Sequence, residues 1–174
     1  ALKAASGEKQ LDLVGGIAVE LPARLVEKLK DKKGLTVTPD DVVQMSASSL
    51  PSSDQLWPYE SGNSLLWTGD RVLYSGRLPA IAVVDSGVDT TAPELQGRVV
   101  ARVDLCSLPS NSPGDGRGHG TFVAGVAAGN APGRAGAAPT APLVSGDGMD
   151  DSGQARTSDV IAGAQWVLAN KDKY

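Results

Sequence analysis

The stretch Ile81-Ala-Val-Val-Asp85-Ser-Gly87 decides the reading of this chain. From Pro79 to Val84 it is continuously apolar and rich in β-branched residues, and turn-forming residues bound it. That composition suits a buried strand of a parallel sheet better than a half-exposed one. Asp85 therefore stands at the carboxyl end of the strand, where open α/β sheets form their ligand crevices. Gly87 permits a sharp exit from the strand. Ser86 is placed to donate a hydrogen bond that keeps the Asp85 carboxylate ionised and oriented.

A second glycine-framed stretch, Gly118-His119-Gly-Thr-Phe-Val-Ala-Gly125, follows 34 positions later (119 minus 85) and holds the only histidine. It predicts a helix over His119 to Ala128, with Ala124, Gly125, Ala127, Ala128 and Gly129 small enough for tight packing on a sheet. The positive end of that helix disfavours an imidazolium, so a ring that must accept a proton there needs a negative partner. Asp85 is that partner if the fold brings the two together. Strands are also expected over Val99–Leu105 and Leu143–Ser145. A helix is expected over Ser158–Asn170, capped by Thr157 or Ser158, with Asp159 near its positive end. Its Val160, Ile161, Ala164, Val167 and Leu168 are expected to share one face. Strands alternating with helices give an α/β fold with a doubly wound parallel sheet.

The two frames, in this order, resemble those of subtilisin-like serine proteases, the subtilase family. The resemblance implies an Asp-His-Ser triad in which Asp85 orients His119 and His119 moves the proton of a serine. No Gly-Thr-Ser-like nucleophile segment occurs among the 174 residues. The chain is thus expected to be an N-terminal fragment with an incomplete subtilisin-like sheet, inactive by itself. Ala138-Pro-Thr-Ala-Pro-Leu-Val144 looks like the family's segment leading into a strand. Ser152, Gly153 and Gln154 look like its substrate-binding edge, which pairs main chain to main chain with an extended peptide. Ala155 stands where a glycine is often seen, and the stretch Gly146–Asp150 is unusual, so the pocket beside that edge departs from the pattern.

Nearer the amino terminus, Ile17–Leu21 reads as a strand. Pro22 suits a helix start, Leu25, Val26 and Leu29 form a stripe, and Gly34 closes the helix before a strand over Leu35–Thr38. The strings Gly-Ile-Ala-Val-Glu-Leu-Pro22 and Val-Thr-Pro-Asp40 resemble the later half of a subtilase prosegment. Residues 1–45 are accordingly expected to be an α+β prosegment remnant. Residues 46–56 form a Ser/Pro-rich cleavable linker by composition, and 57–174 the first part of the catalytic domain. Leu65-Leu-Trp67 reads as a short helix capped by Ser61 or Asn63.

Composition narrows the remaining classes. A net charge of -4 argues against nucleic-acid and anionic-membrane partners. Gly118 and Gly120 lack the third glycine of a dinucleotide fingerprint. One His and one Cys without ligand spacing make zinc improbable. Calcium is compatible with the family, yet Asp147, Asp150 and Asp151 fit a solvated turn at least as well, and no cofactor is required. Cys106, the single cysteine, is expected to be a half-buried thiol. The resemblance implies protein or peptide substrates, an intramolecular prosegment and secretion. Two alternatives use the same residues: a prosegment-type chaperone or inhibitor module, and a homologue without catalytic activity.

Overall fold

A computed structural model describes residues 8–44, 57–67 and 78–174. The expected linker 46–56 lies outside the described residues. A parallel sheet forms the centre, made of β4 (Ile81–Asp85), β5 (Val99–Asp104) and β6 (Leu143–Asp147) in the order β4-β6-β5. β6 takes the middle position, and all five of its residues are buried. It is two residues longer than the expected Leu143–Ser145. β4 carries only Val83 fully buried, and β5 alternates between half-buried and exposed positions. Both are edge strands among the described residues, with one neighbour each.

Two helices sandwich β4. Val83 belongs to a core with Val88, Leu95, Ala124, Ala128 and Leu143, so α3 (His119–Ala128) lies on the Val83 face. Successive strand residues point to opposite faces, and Val84 meets α4 (Thr157–Asn170) on the other. There a Cβ added at Gly163 would fall 2.5 Å from Val84 Cγ1, so only glycine allows this helix-to-sheet distance. The doubly wound arrangement follows from this alternation. The expected face of α4 is split: Val160, Ala164 and Leu168 are exposed, while Ser158, Asp159 and Gly163 are buried. Small and polar residues at the helix start dock more closely than the branched ones, and that sets the rotation of the helix.

The N-terminal segment differs from expectation in its strands. β1 (Lys9–Leu11) and β2 (Gly16–Ala18) form an antiparallel hairpin. Helix α1 (Ala23–Lys30) follows, with Pro22 as its N-cap and its C-cap at Asp31 rather than near Gly34. Leu35–Thr38 is not a strand. The strand is β3 (Val42–Gln44), paired antiparallel with β7 (Gln154–Arg156), Val43 opposite Ala155. A strand is fixed by a partner, and the alternating run at 35–38 has none among the described residues. Further on, α2 (Trp57–Glu60) precedes a 3-10 turn over Asn63–Leu66, which is capped by Gly62 in a left-handed conformation rather than by Ser61 or Asn63. No helix among the described residues is long and apolar enough to cross a membrane.

The start of α4 is secured from outside its own element. No side chain of Arg156, Thr157 or Ser158 caps it. Instead Asp40 accepts hydrogen bonds from the Ser158 amide (2.8 Å) and hydroxyl (2.5 Å), and the Asp41 carbonyl accepts one from the Thr157 amide (3.1 Å). Asp159 is fully buried; it accepts hydrogen bonds from the Ser107 amide (2.9 Å) and hydroxyl (2.8 Å) and is ion-paired with Lys9. Replacing Asp40 with Ala is expected to lower stability by about 1 kcal/mol, the usual effect of a lost cap. Urea melts together with amide exchange at Ser158 measure it; unchanged exchange at that amide would refute the capping role.

Candidate active site

β4 delivers Asp85 at its last position, and α3 delivers His119 at its first. The His119 Nδ1 atom lies 2.8 Å from Asp85 Oδ1 and 3.0 Å from Oδ2. A carboxylate accepts only, so Nδ1 carries the proton and Nε2 is left as the acceptor of the neutral ring. The Asp85 side chain is 13% exposed and the His119 side chain 37%, so the acid is sheltered and the ring reaches solvent. The juxtaposition expected from the two frames is realised.

Glycines make it possible. A Cβ at Gly120 would stand 2.0 Å from the Gly87 carbonyl oxygen and 3.2 Å from Asp85 Cβ. Gly87 itself has φ of 89° and would drive a Cβ to 1.8 Å from the Gly114 carbonyl oxygen. The first turn of α3 thus lies directly on the turn that leaves β4.

Ser86 acts as expected only in part. Its amide donates to Asp85 Oδ1 at 2.8 Å, while its hydroxyl is 3.3 Å from that atom and 2.8 Å from Asp115 Oδ1. Asp115 is a residue the sequence reading did not single out. The usable signal was an aspartate three positions ahead of the residue that caps a helix.

Asp147 and Asp150 correct the expectation of a solvated acidic turn, because both are buried. Asp150 accepts hydrogen bonds from the Ser152 amide (3.0 Å) and hydroxyl (2.7 Å) and the Gln154 amide (2.9 Å). Burial works to raise that carboxyl, but these bonds outweigh it and hold it below the ordinary range. Ser152, Gly153 and Gln154, expected to line the substrate edge, are therefore fixed as a tight turn, with Gly153 at φ of 80°. Gln154 then enters β7, opposite Gln44. Asp151 binds the Ser112 amide at 3.0 Å. Cys106 is half-buried as expected, and burial pushes its thiol up.

Asp147 lies in register between Asp85 on β4 and Asp104 on β5. Burial, with repulsion from Asp104 and Asp115, pushes it up to about 6 against hydrogen bonds from Asn111 and the Met149 amide. Its Oδ1 has no hydrogen-bond partner among the described residues. Among those residues, no group of three or more His, Cys, Asp or Glu side chains is placed to hold a metal ion.

A model of the subtilase family matches residues 76–173. The chain belongs to the subtilase family. Subtilisin E of Bacillus subtilis (strain 168) is 31% identical over 166 residues, 94% of this chain and 41% of that protein. Subtilisin J of Geobacillus stearothermophilus shows the same identity and coverage. Subtilisin-like protease 5 of Arthroderma benhamiae is 40% identical over 92 residues, 53% of this chain and 22% of its own length. The chain spans less than half the length of these subtilase relatives.

The raised carboxyl of buried Asp147 leads to an expected pH dependence of stability in this subtilase chain. Its folded carboxyl holds a proton more tightly than the unfolded one, whose ordinary value is 3.8. Raising the pH through the interval from that value to about 6 therefore removes stability, by at most about 3 kcal/mol. Asp147→Asn is expected to flatten this fall, read as melting temperature against pH. An unchanged slope would show that the group is not the source.

Proposed function

We propose that the protein is a serine-type endopeptidase in which Asp85 and His119 are two members of an Asp-His-Ser triad. The observation that carries this reading is the hydrogen-bonded pair at 2.8 Å, set at a strand's carboxyl end in a chain of this family. The nucleophilic serine and the oxyanion donors come from chain outside these 174 residues. In the serine-bearing enzyme, Nε2 of His119 takes the hydroxyl proton as the serine oxygen bonds to the peptide carbonyl carbon. It then passes that proton to the amine nitrogen as the C–N bond breaks, leaving an acyl-enzyme for water to hydrolyse. Asp85 holds the Nδ1–H tautomer and stabilises the imidazolium formed on the way. Substrates are proteins or peptides, bound beside Ser152, Gly153 and Gln154; the enzyme is secreted and needs no redox cofactor.

Two measurements test the reading. The chain of residues 1–174 should remain unlabelled by a fluorophosphonate probe, and stoichiometric labelling would overturn the assignment of the nucleophile elsewhere. In the serine-bearing enzyme, His119→Ala should lower kcat on the order of a millionfold, a magnitude taken from subtilisin itself. A loss below tenfold would remove His119 from the chemistry.

A second role is favoured by one observation: β3 occupies β7 as an added strand, beside the proposed substrate edge. Residues 1–45 then act as a prosegment that blocks this edge until the segment after Gln44 is cut. Titrating the 1–50 piece against a mature subtilase should give inhibition that weakens when Val43 is replaced by proline, which disfavours strand pairing. Absence of any inhibition would reject this role.

A further inference from the structure

Asp115 has no part in the proposed proton transfer, yet it bonds to both backbone stretches that carry the proposed catalytic pair. Its Oδ1 accepts from the Ser86 hydroxyl (2.8 Å), next to Asp85, and from the Gly118 amide (2.7 Å), next to His119. Its Oδ2 accepts from the Thr121 amide (2.8 Å) and hydroxyl in the first turn of α3. The two linked hydroxyls extend the network. Ser86 Oγ accepts the Gly120 amide at 3.1 Å, and Thr121 Oγ1 accepts the Asp89 amide at 2.9 Å. One carboxylate thereby ties the exit of β4 at two points, Ser86 and Asp89, to Gly118, Gly120 and Thr121 on either side of His119.

We infer that Asp115 is a positioning residue for the Asp85–His119 pair, holding the ring in bonding register with the carboxylate. The inference rests on the triad reading. An ordinary helix cap would satisfy the amides at Gly118 and Thr121 and stop there. Asp115 also takes the Ser86 hydroxyl from the neighbouring strand end, 29 residues away in sequence. Charge-assisted bonds of this kind are shorter and roughly twice as strong as neutral ones. Its negative charge, at the positive end of α3, also opposes the field that works against an imidazolium at His119.

The single histidine makes the test direct. In the 174-residue chain labelled with 15N, the His119 Nδ1–H proton gives one ring signal, whose exchange with water reports the bond to Asp85. Asp115→Asn is expected to speed that exchange by about tenfold, because the amide nitrogen cannot replace the second accepting oxygen. Asp115→Ala should remove the signal, while backbone amides of β6 keep their protection. Ser86→Ala, which cuts only the link to the strand end, should speed exchange in the same direction. A cap without a positioning role would lower global stability and leave ring exchange within about threefold of the unmodified chain. That result in Asp115→Asn and Ser86→Ala overturns the inference, whether or not Asp115→Ala folds. Asp85→Ala separates the pairing from its positioning, because it removes the acceptor altogether. A ring signal that survives Asp85→Ala with unchanged exchange defeats the pairing itself, whereas loss there with no response to Asp115 defeats only the positioning role.

Discussion

The contact of main chain on main chain where α3 meets the exit of β4 governs the geometry of everything around it. With no Cβ at Gly120, the first turn of the helix settles onto the Gly87 carbonyl, and with none at Gly87 the loop at Gly114 closes over the same turn. Three segments thus touch through backbone atoms, leaving no flexible side chain between them to adjust. The His119 ring, fixed at a helix start, is then set against Asp85 at 2.8 and 3.0 Å. Rigid elements hold such constellations more closely than loops do, and a displacement near 1 Å is enough to cost about a hundredfold in rate. An alanine at either glycine would not merely weaken the packing; it would move the ring.

The same strand ends bring an electrostatic load. Asp85, Asp147 and Asp104 stand in one row across the sheet, and their register leaves them little freedom to separate. Asp85 is answered by the imidazole and by the Ser86 amide. Asp147 is not fully answered, and its Oδ1 has no hydrogen-bond partner among the described residues. Burial is the main cause that raises the Asp147 carboxyl, and repulsion from Asp104 and Asp115 adds to it. Holding its proton to about pH 6, the Asp147 carboxyl adds no further negative charge beside Asp104 and Asp115 in mild acid.

Much of the parallel sheet and of the Asp85–His119 site was legible because their signals are local. A β-branched run that ends in Asp-Ser-Gly gives β4 and the place of Asp85, and small residues after Gly118-His119-Gly120 give α3. What escaped was long-range. β3 is three residues of exposed chain and exists because β7 lies 112 positions on from it (154 minus 42). Leu35–Thr38 has the better strand pattern and finds no partner among the described residues. The cap of α4 comes from Asp40, 118 residues away, so inspecting the residues around Ser158 could not disclose it. The acidic stretch from Asp147 to Asp151 reads as solvated because aspartate and glycine favour open turns. Here Asp150 instead turns inward to accept the Ser152 and Gln154 amides of its own loop, and Asp147 is buried at the end of the central strand, which strand and helix periodicity cannot register.

Several contacts between the N-terminal segment and α4 are polar: they come from Lys9, the Leu13 amide, Asp40 and the Asp41 carbonyl, beside the buried Leu11. The amides at Thr157 and Ser158, now bonded to Asp41 and Asp40, would face water if that segment moved away. Asp159 would lose Lys9 but keep both bonds from Ser107, so its charge would not be stranded. The short β3–β7 ladder would expose three residues of strand edge, of which Ala155 alone is fully buried now. An interface built from a hydrophobic core would leave an insoluble face when opened, whereas the polar contacts here exchange protein partners for solvent at small net cost. On the proposed prosegment role, the cap supplied by Asp40 is a loan to the helix that starts beside the proposed substrate edge, because its bonds to Ser158 pass to water when the segment leaves.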